Sequence, residues 1–143
     1  MIKQLANLVK IAKQKLDTQE KSLLRNQTQI KRKYADIDSI NVKIASVPIP
    51  LSGSFSAYQS QKDSIQAYLY EIHEIQIQIN ILKQEQEYIK QQIRIAHIEH
   101  EKTSYLYNQA KDIQNIESNK KEVKQLDEIT IMLHTRQKGN GAK

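Results

Sequence analysis

The chain has 143 residues with only 3 Gly and 2 Pro, no Cys, no Trp and one Phe, whereas average usage would supply about ten glycines and seven prolines. That leaves little material for the bends and layered core of a pocketed enzyme, and the missing cysteines exclude disulfide frameworks, thiolate zinc sites and thiol catalysis. A net charge of +6 admits nucleic acid, anionic lipid or an acidic protein as partner, while the abundance of Ile, Gln, Lys and Glu favours long helices over disorder.

The first predicted element is a helix over residues 2–45, α1. Ile2, Val9, Leu16, Leu23, Ile30, Ile37 and Ile44 recur at a spacing of seven, and all are aliphatic. Their companions three residues later are Leu5, Ala12, Gln19, Asn26, Lys33, Ile40 and Val47, apolar at both ends and polar in the middle. A period of 3.5 residues sustained this far specifies a left-handed coiled coil. The polar middle, Gln19, Asn26 and Lys33, reads as a device that fixes register or partner number at a cost in stability. The basic stretch 1–16 also has the composition of a membrane-surface helix, but its apolar residues continue the seam.

Pro48, Pro50 and Gly53 mark 46–54 as the one internal break, because proline removes a donor and disfavours helix in the residue before it. Ser56 followed by Gln59 has capping-box spacing, so a second helix, α2, is predicted over 55–137. Residues 139–143, with Gly139 and Gly141, read as a flexible tail. At 1.5 Å per residue the helices would be about 66 Å and about 125 Å long.

In α2 the seam rows are Tyr58, Ile65, Ile72, Ile79, Gln86 and Ile93 and, three later, Gln61, Tyr68, Ile75, Leu82, Ile89 and Ala96. The repeat fades after His100 and Thr103. Tyr107 and Ala110 still fit it, but Ile113, Ile116, Val123, Leu126, Ile129 and Leu133 need a shifted frame. A short connection makes consecutive helices antiparallel neighbours. Charge agrees: residues 1–45 carry ten Lys or Arg against four acids, and 54–100 carry four against six. The fold class is therefore all-α, an antiparallel two-helix coiled-coil hairpin in one domain, 1–138, with a longer second helix. Residues 101–137 would overhang, leaving Tyr105, Leu106, Ile113, Ile116, Val123, Leu126 and Leu133 without an intramolecular partner.

A second apolar row, Tyr70, Ile77, Ile81, Tyr88, Ile95, Ile98 and Tyr105, lies roughly opposite the α2 seam. A two-helix hairpin buries only one face, so this row is a candidate docking surface for a heterologous partner, with self-association into a larger bundle as the alternative. His97, Glu99, His100 and Glu101 lack the His-Glu-x-x-His pattern and read as surface residues rather than metal ligands. No phosphate loop, nucleophile elbow or triad can be assembled. Neither a catalytic site, a cofactor nor a small-molecule substrate is expected, and the interspersed lysines disfavour nucleic acid. No stretch approaches a membrane span, and the early lysines break up any secretory signal, so a soluble protein is expected.

Three stretches carry a resemblance. The run Leu5-x-x-Leu8-x-x-Ile11-Ala12-Lys13-x-Lys15-Leu16-Asp17 resembles the start of the FliJ family, stalk proteins of the bacterial flagellar export ATPase. Gly53 followed by Phe55-x-x-Tyr58 is similar to that family's turn and entry to the second helix. Glu122-Val-Lys-Gln-Leu-Asp-Glu-Ile129 resembles its late acidic-hydrophobic signature. Together they span essentially the whole chain in order, and the injectisome stalk proteins of the YscO type share the architecture.

The resemblance implies a non-enzymatic coupling subunit of flagellar type III protein export, cytoplasmic and peripheral to the membrane-embedded apparatus. Its helix termini would enter the centre of the export ATPase hexamer, with contacts from Leu5, Leu8, Ile11, Lys15, Asp17, Leu126, Asp127, Glu128 and Ile129. It would also touch the cytoplasmic domain of the export gate through Ile40, Lys43, Val47, Gln61, Ile65, Tyr68 and Ile72. Lys43 and Val47 stand where the family has tyrosines, and Gln61 where it has an aromatic. Export chaperones are further implied partners. The other readings are a coiled-coil export chaperone or adaptor, an injectisome stalk, and a basic nucleic-acid or membrane-surface binder.

Overall fold

A computed structural model describes residues 1–51 and 53–141, with side chains placed as far as residue 137. It contains two α-helices, α1 over Ile2–Ala45 and α2 over Phe55–Gly141, and no strand among the described residues. The chain divides into two compact units, Gln14–His97 and Met1–Lys13 with the chain from Ile98 onward.

In the Gln14–His97 unit the heptad dictates the packing. Leu16, Ile40, Ile79, Ile89 and Ala96 are buried, and the seam positions between them, from Gln19 to Ile44 on α1 and from Gln61 to Ile93 on α2, are at least half-buried. Tyr58, at the start of the predicted row, is exposed instead. Two contacts cross the seam between the helices, which the short connection at 46–54 makes antiparallel: the Asn26 amide donates to the Leu82 carbonyl at 2.9 Å, and Lys83 Nζ sits 5.6 Å above the Tyr34 ring. The cation over that exposed ring contributes about 0.5–1 kcal/mol.

Asn26 is the most polar residue of the core, only 2% exposed, and its Oδ1 has no hydrogen-bond partner. A backbone carbonyl recurs on every turn of a helix, so the bond to Leu82 orients this side chain without selecting one register. The expected register role of the polar seam thus loses its simplest mechanism, and the cost of an unpaired buried oxygen, about 1–3 kcal/mol, remains.

The unit containing both ends of the chain has the same seam in shorter form. Ala12 is buried, and Ile2, Leu5 and Val9 are half-buried, as are His100, Thr103, Tyr107 and Ala110. Met1, Ile2 and Lys3 line one groove with Ala110, Ile113, Gln114 and Glu117. The paired part therefore reaches Ala110 instead of ending near residue 100. Thr103 can occupy a seam position inside a helix because its hydroxyl bonds the carbonyls of Glu99 and His100 at 3.0 and 3.1 Å.

The helix ends differ from the expected devices. The Leu5 N–H bonds the Met1 carbonyl at 3.1 Å, opening α1. At its other end the Ser46 N–H is shared between Val42 and Lys43, and Val47 bonds Ile44 at 3.2 Å, a tightening of the last turn before Pro48 stops the helix. The Ser54 carbonyl accepts the Tyr58 N–H at 3.3 Å, which makes Ser54 the N-cap of α2 and puts Ser56 inside the helix. Gln59 then donates forward to Asp63 at 3.1 Å, so no capping box forms. Beyond the predicted end at 137 the backbone stays helical to Gly141, since each glycine costs only about 1 kcal/mol and keeps its N–H. Of the expected tail, Ala142 and Lys143 lie outside the described residues.

Candidate functional site

Past Ala110 every described side chain of α2 is exposed. Ile113, Ile116, Val123, Leu126, Ile129, Ile131, Met132 and Leu133 are all more than half exposed. Leu133, Ile129 and Met132 line a shallow open groove with Thr135 and Arg136. Aliphatic residues at this density on one helix have no packing role within it, and exposed apolar surface of this kind makes the stretch a candidate interaction surface. Thr130 and Thr135 bond the carbonyls of Leu126 and Ile131 at 2.8 and 2.9 Å, so their polar atoms are satisfied along the helix and the stretch presents its aliphatic side chains and charges outward.

The implied ATPase-contact residues fall into two groups by exposure. Leu126, Asp127, Glu128, Ile129, Leu8, Ile11 and Lys15 are exposed, whereas Leu5 and Asp17 are half-buried, with Leu5 in the seam. Ile131 and Met132 extend the same surface and were not among them; their signal was the loss of the seam heptad after Ala110.

The implied gate-contact residues are placed differently. Ile40 is buried, and Val47, Gln61, Ile65, Tyr68 and Ile72 are half-buried at seam positions; of the seven, Lys43 alone is exposed. A side chain packed between two helices offers little of itself to a third body. The exposed apolar residues about the turn include Val42, Ile49, Leu51 and Phe55, which the heptad did not mark, and Tyr58, which it did. All of the outer row, Tyr70, Ile77, Ile81, Tyr88, Ile95, Ile98 and Tyr105, is exposed.

Among the described residues no group of three or more His, Cys, Asp or Glu is placed to hold a metal ion. The grooves are open: one lies between Gln29, Arg32, Lys33 and Asp36 of α1 and Gln78, Ile81 and Leu82 of α2, and another is lined by one face of α2 from Phe55 to Ala67. The arrangement offers long apolar and charged faces for binding other chains.

A family model described as flagellar FliJ protein matches residues 1–139. The chain belongs to the FliJ family. FliJ proteins are non-enzymatic, stalk-type components of flagellar protein export. Comparison with curated proteins and with solved structures gives no match. Among the described residues no helix is long and apolar enough to cross a membrane.

Proposed function

We propose that this FliJ chain is the stalk of the flagellar type III export ATPase, held in the centre of the hexamer through residues 111–137 of α2 with Leu8 and Ile11 of α1, and that it acts at the cytoplasmic side of the export apparatus without catalysis of its own. The observation that carries this reading is the run of exposed aliphatic side chains from Ile113 to Leu133 beyond the paired part of α2. A single helix has the width, about 10–12 Å, to enter the bore of a ring. An asymmetric rod cannot contact all subunits of a symmetric ring alike, and differential contact is what shifts the states of successive subunits.

Contact with the cytoplasmic domain of the export gate would use the exposed residues about the turn, Val42, Lys43, Ile49, Leu51 and Phe55, with the seam residues Ile40, Val47, Gln61, Ile65, Tyr68 and Ile72 supporting their placement. Export chaperones remain proposed partners. The deciding experiment is ATP hydrolysis by the export ATPase with Leu126→Asp/Ile129→Asp. We expect the variant to lose all stimulation while its circular dichroism stays helical; undiminished stimulation would refute the stalk reading.

A further inference from the structure

The exposed outer row of α2 has an internal symmetry. Written as the positions that alternate by four and three along that face, it reads Tyr70, Glu74, Ile77, Ile81, Gln84, Tyr88, and then Gln91, Ile95, Ile98, Lys102, Tyr105. The second half repeats the first in reverse about Tyr88, with one exchange: Lys102 stands where the mirror image of Glu74 falls. Each of these side chains is exposed. One half of the face is therefore shaped to receive the other half of an identical face running the opposite way.

We propose that the row is the interface of an antiparallel homodimer, with a second copy of this chain docked on α2 about a two-fold axis beside Tyr88. An isologous contact requires that residue i meet residue j and j meet i, and here the residues brought level are alike or complementary. Ile77 and Ile81 of one copy lie level with Ile98 and Ile95 of the other, Gln84 with Gln91, and Tyr70 with Tyr105. Glu74 faces Lys102 of the second copy on both sides of the axis, which gives two opposite-charge pairs.

A parallel pairing of the same faces would set Glu74 against Glu74 and Lys102 against Lys102, so charge selects the antiparallel arrangement. Glu87, close to the axis, carries its own counter-ion in Lys90 at 3.8 Å. The face extends about 50 Å at 1.5 Å per residue and is about 10 Å wide. Two copies would bury about 1,000 Å², the lower bound of a specific interface, so the dimer forms reversibly and in proportion to concentration. It is independent of the stalk reading, which rests on residues 111–137 with Leu8 and Ile11, none of them in this row.

Because the chain has no Cys, single cysteines report the register directly. We expect Tyr88→Cys to oxidise to a covalent dimer, Tyr70→Cys to remain a monomer, and an equimolar mixture of Tyr70→Cys with Tyr105→Cys to cross-link. Self-linking of Tyr70→Cys as efficient as that of Tyr88→Cys would overturn the antiparallel arrangement. In sedimentation equilibrium, Glu74→Lys should weaken dimerisation about fivefold and Glu74→Lys/Lys102→Glu should restore it. A chain without substitutions that sediments as a monomer at every concentration, or a double variant no better than the single one, would overturn the proposal.

Discussion

Two stretches of α2 carry similar aliphatic residues to opposite ends. Between Ile65 and Ala96, Ile and Leu at alternating spacings of three and four meet α1 and are buried or half-buried; between Ile113 and Leu133 the same residue types are exposed. The difference lies in what stands opposite. The first stretch keeps its heptad where α1 supplies a matching row, and the second abandons that heptad where α1 has ended. Hydrophobicity alone therefore does not separate core from docking surface in this molecule; the phase of the pattern does.

The contrast can be broken most sharply by placing the same charge in both stretches. Ile79 is 3% exposed, and Ile79→Asp should cost more than about 4 kcal/mol and unfold the paired helices in a thermal melt followed by circular dichroism. Leu126, at 63% exposed, should tolerate aspartate within about 0.5 kcal/mol in the same measurement. Equal losses at both positions would dissolve the distinction between seam and surface.

A smaller effect sharpens the seam side. Asn26→Leu removes the bond to Leu82 together with an unpaired buried oxygen, and urea unfolding should show a gain of about 1 kcal/mol. A loss instead would mean that the polar contact stabilises the pairing. The smallest effect is expected at the turn. No described residue has a positive φ, and a Cβ on Gly53 would meet nothing within 4 Å. Gly53→Ala should raise stability by about 0.5 kcal/mol through the unfolded chain, and a lower denaturation midpoint would contradict that open geometry.

The heptad made the fold legible, because burial on a helix acts through periodicity and each seam position from Ile2 to Val47 is at least half-buried. Its extension to Ala110 was hidden by His100 and Thr103, polar residues that occupy seam positions without announcing themselves by hydrophobicity. The cap of α2, as distinct from its start, was misread at Ser56: the spacing to Gln59 is that of a capping box, but Ser54 is the N-cap and Gln59 finds Asp63 first. The gate set shows a different limit. Similarity to a family transfers positions along a chain, and the side chains at Ile40, Ile65 and Ile72 turn inward because the seam claims them.

The continuity of α2 through Ala110 has a thermodynamic consequence. An isolated helix of the length of residues 111–137 must first form a costly nucleus. Here the paired turns just before it have already supplied that nucleus, so the segment grows by propagation alone and frays only from its far end. A binding partner need not induce a helix; it has only to extend and hold one, and the ordering cost it meets is that of the last turns.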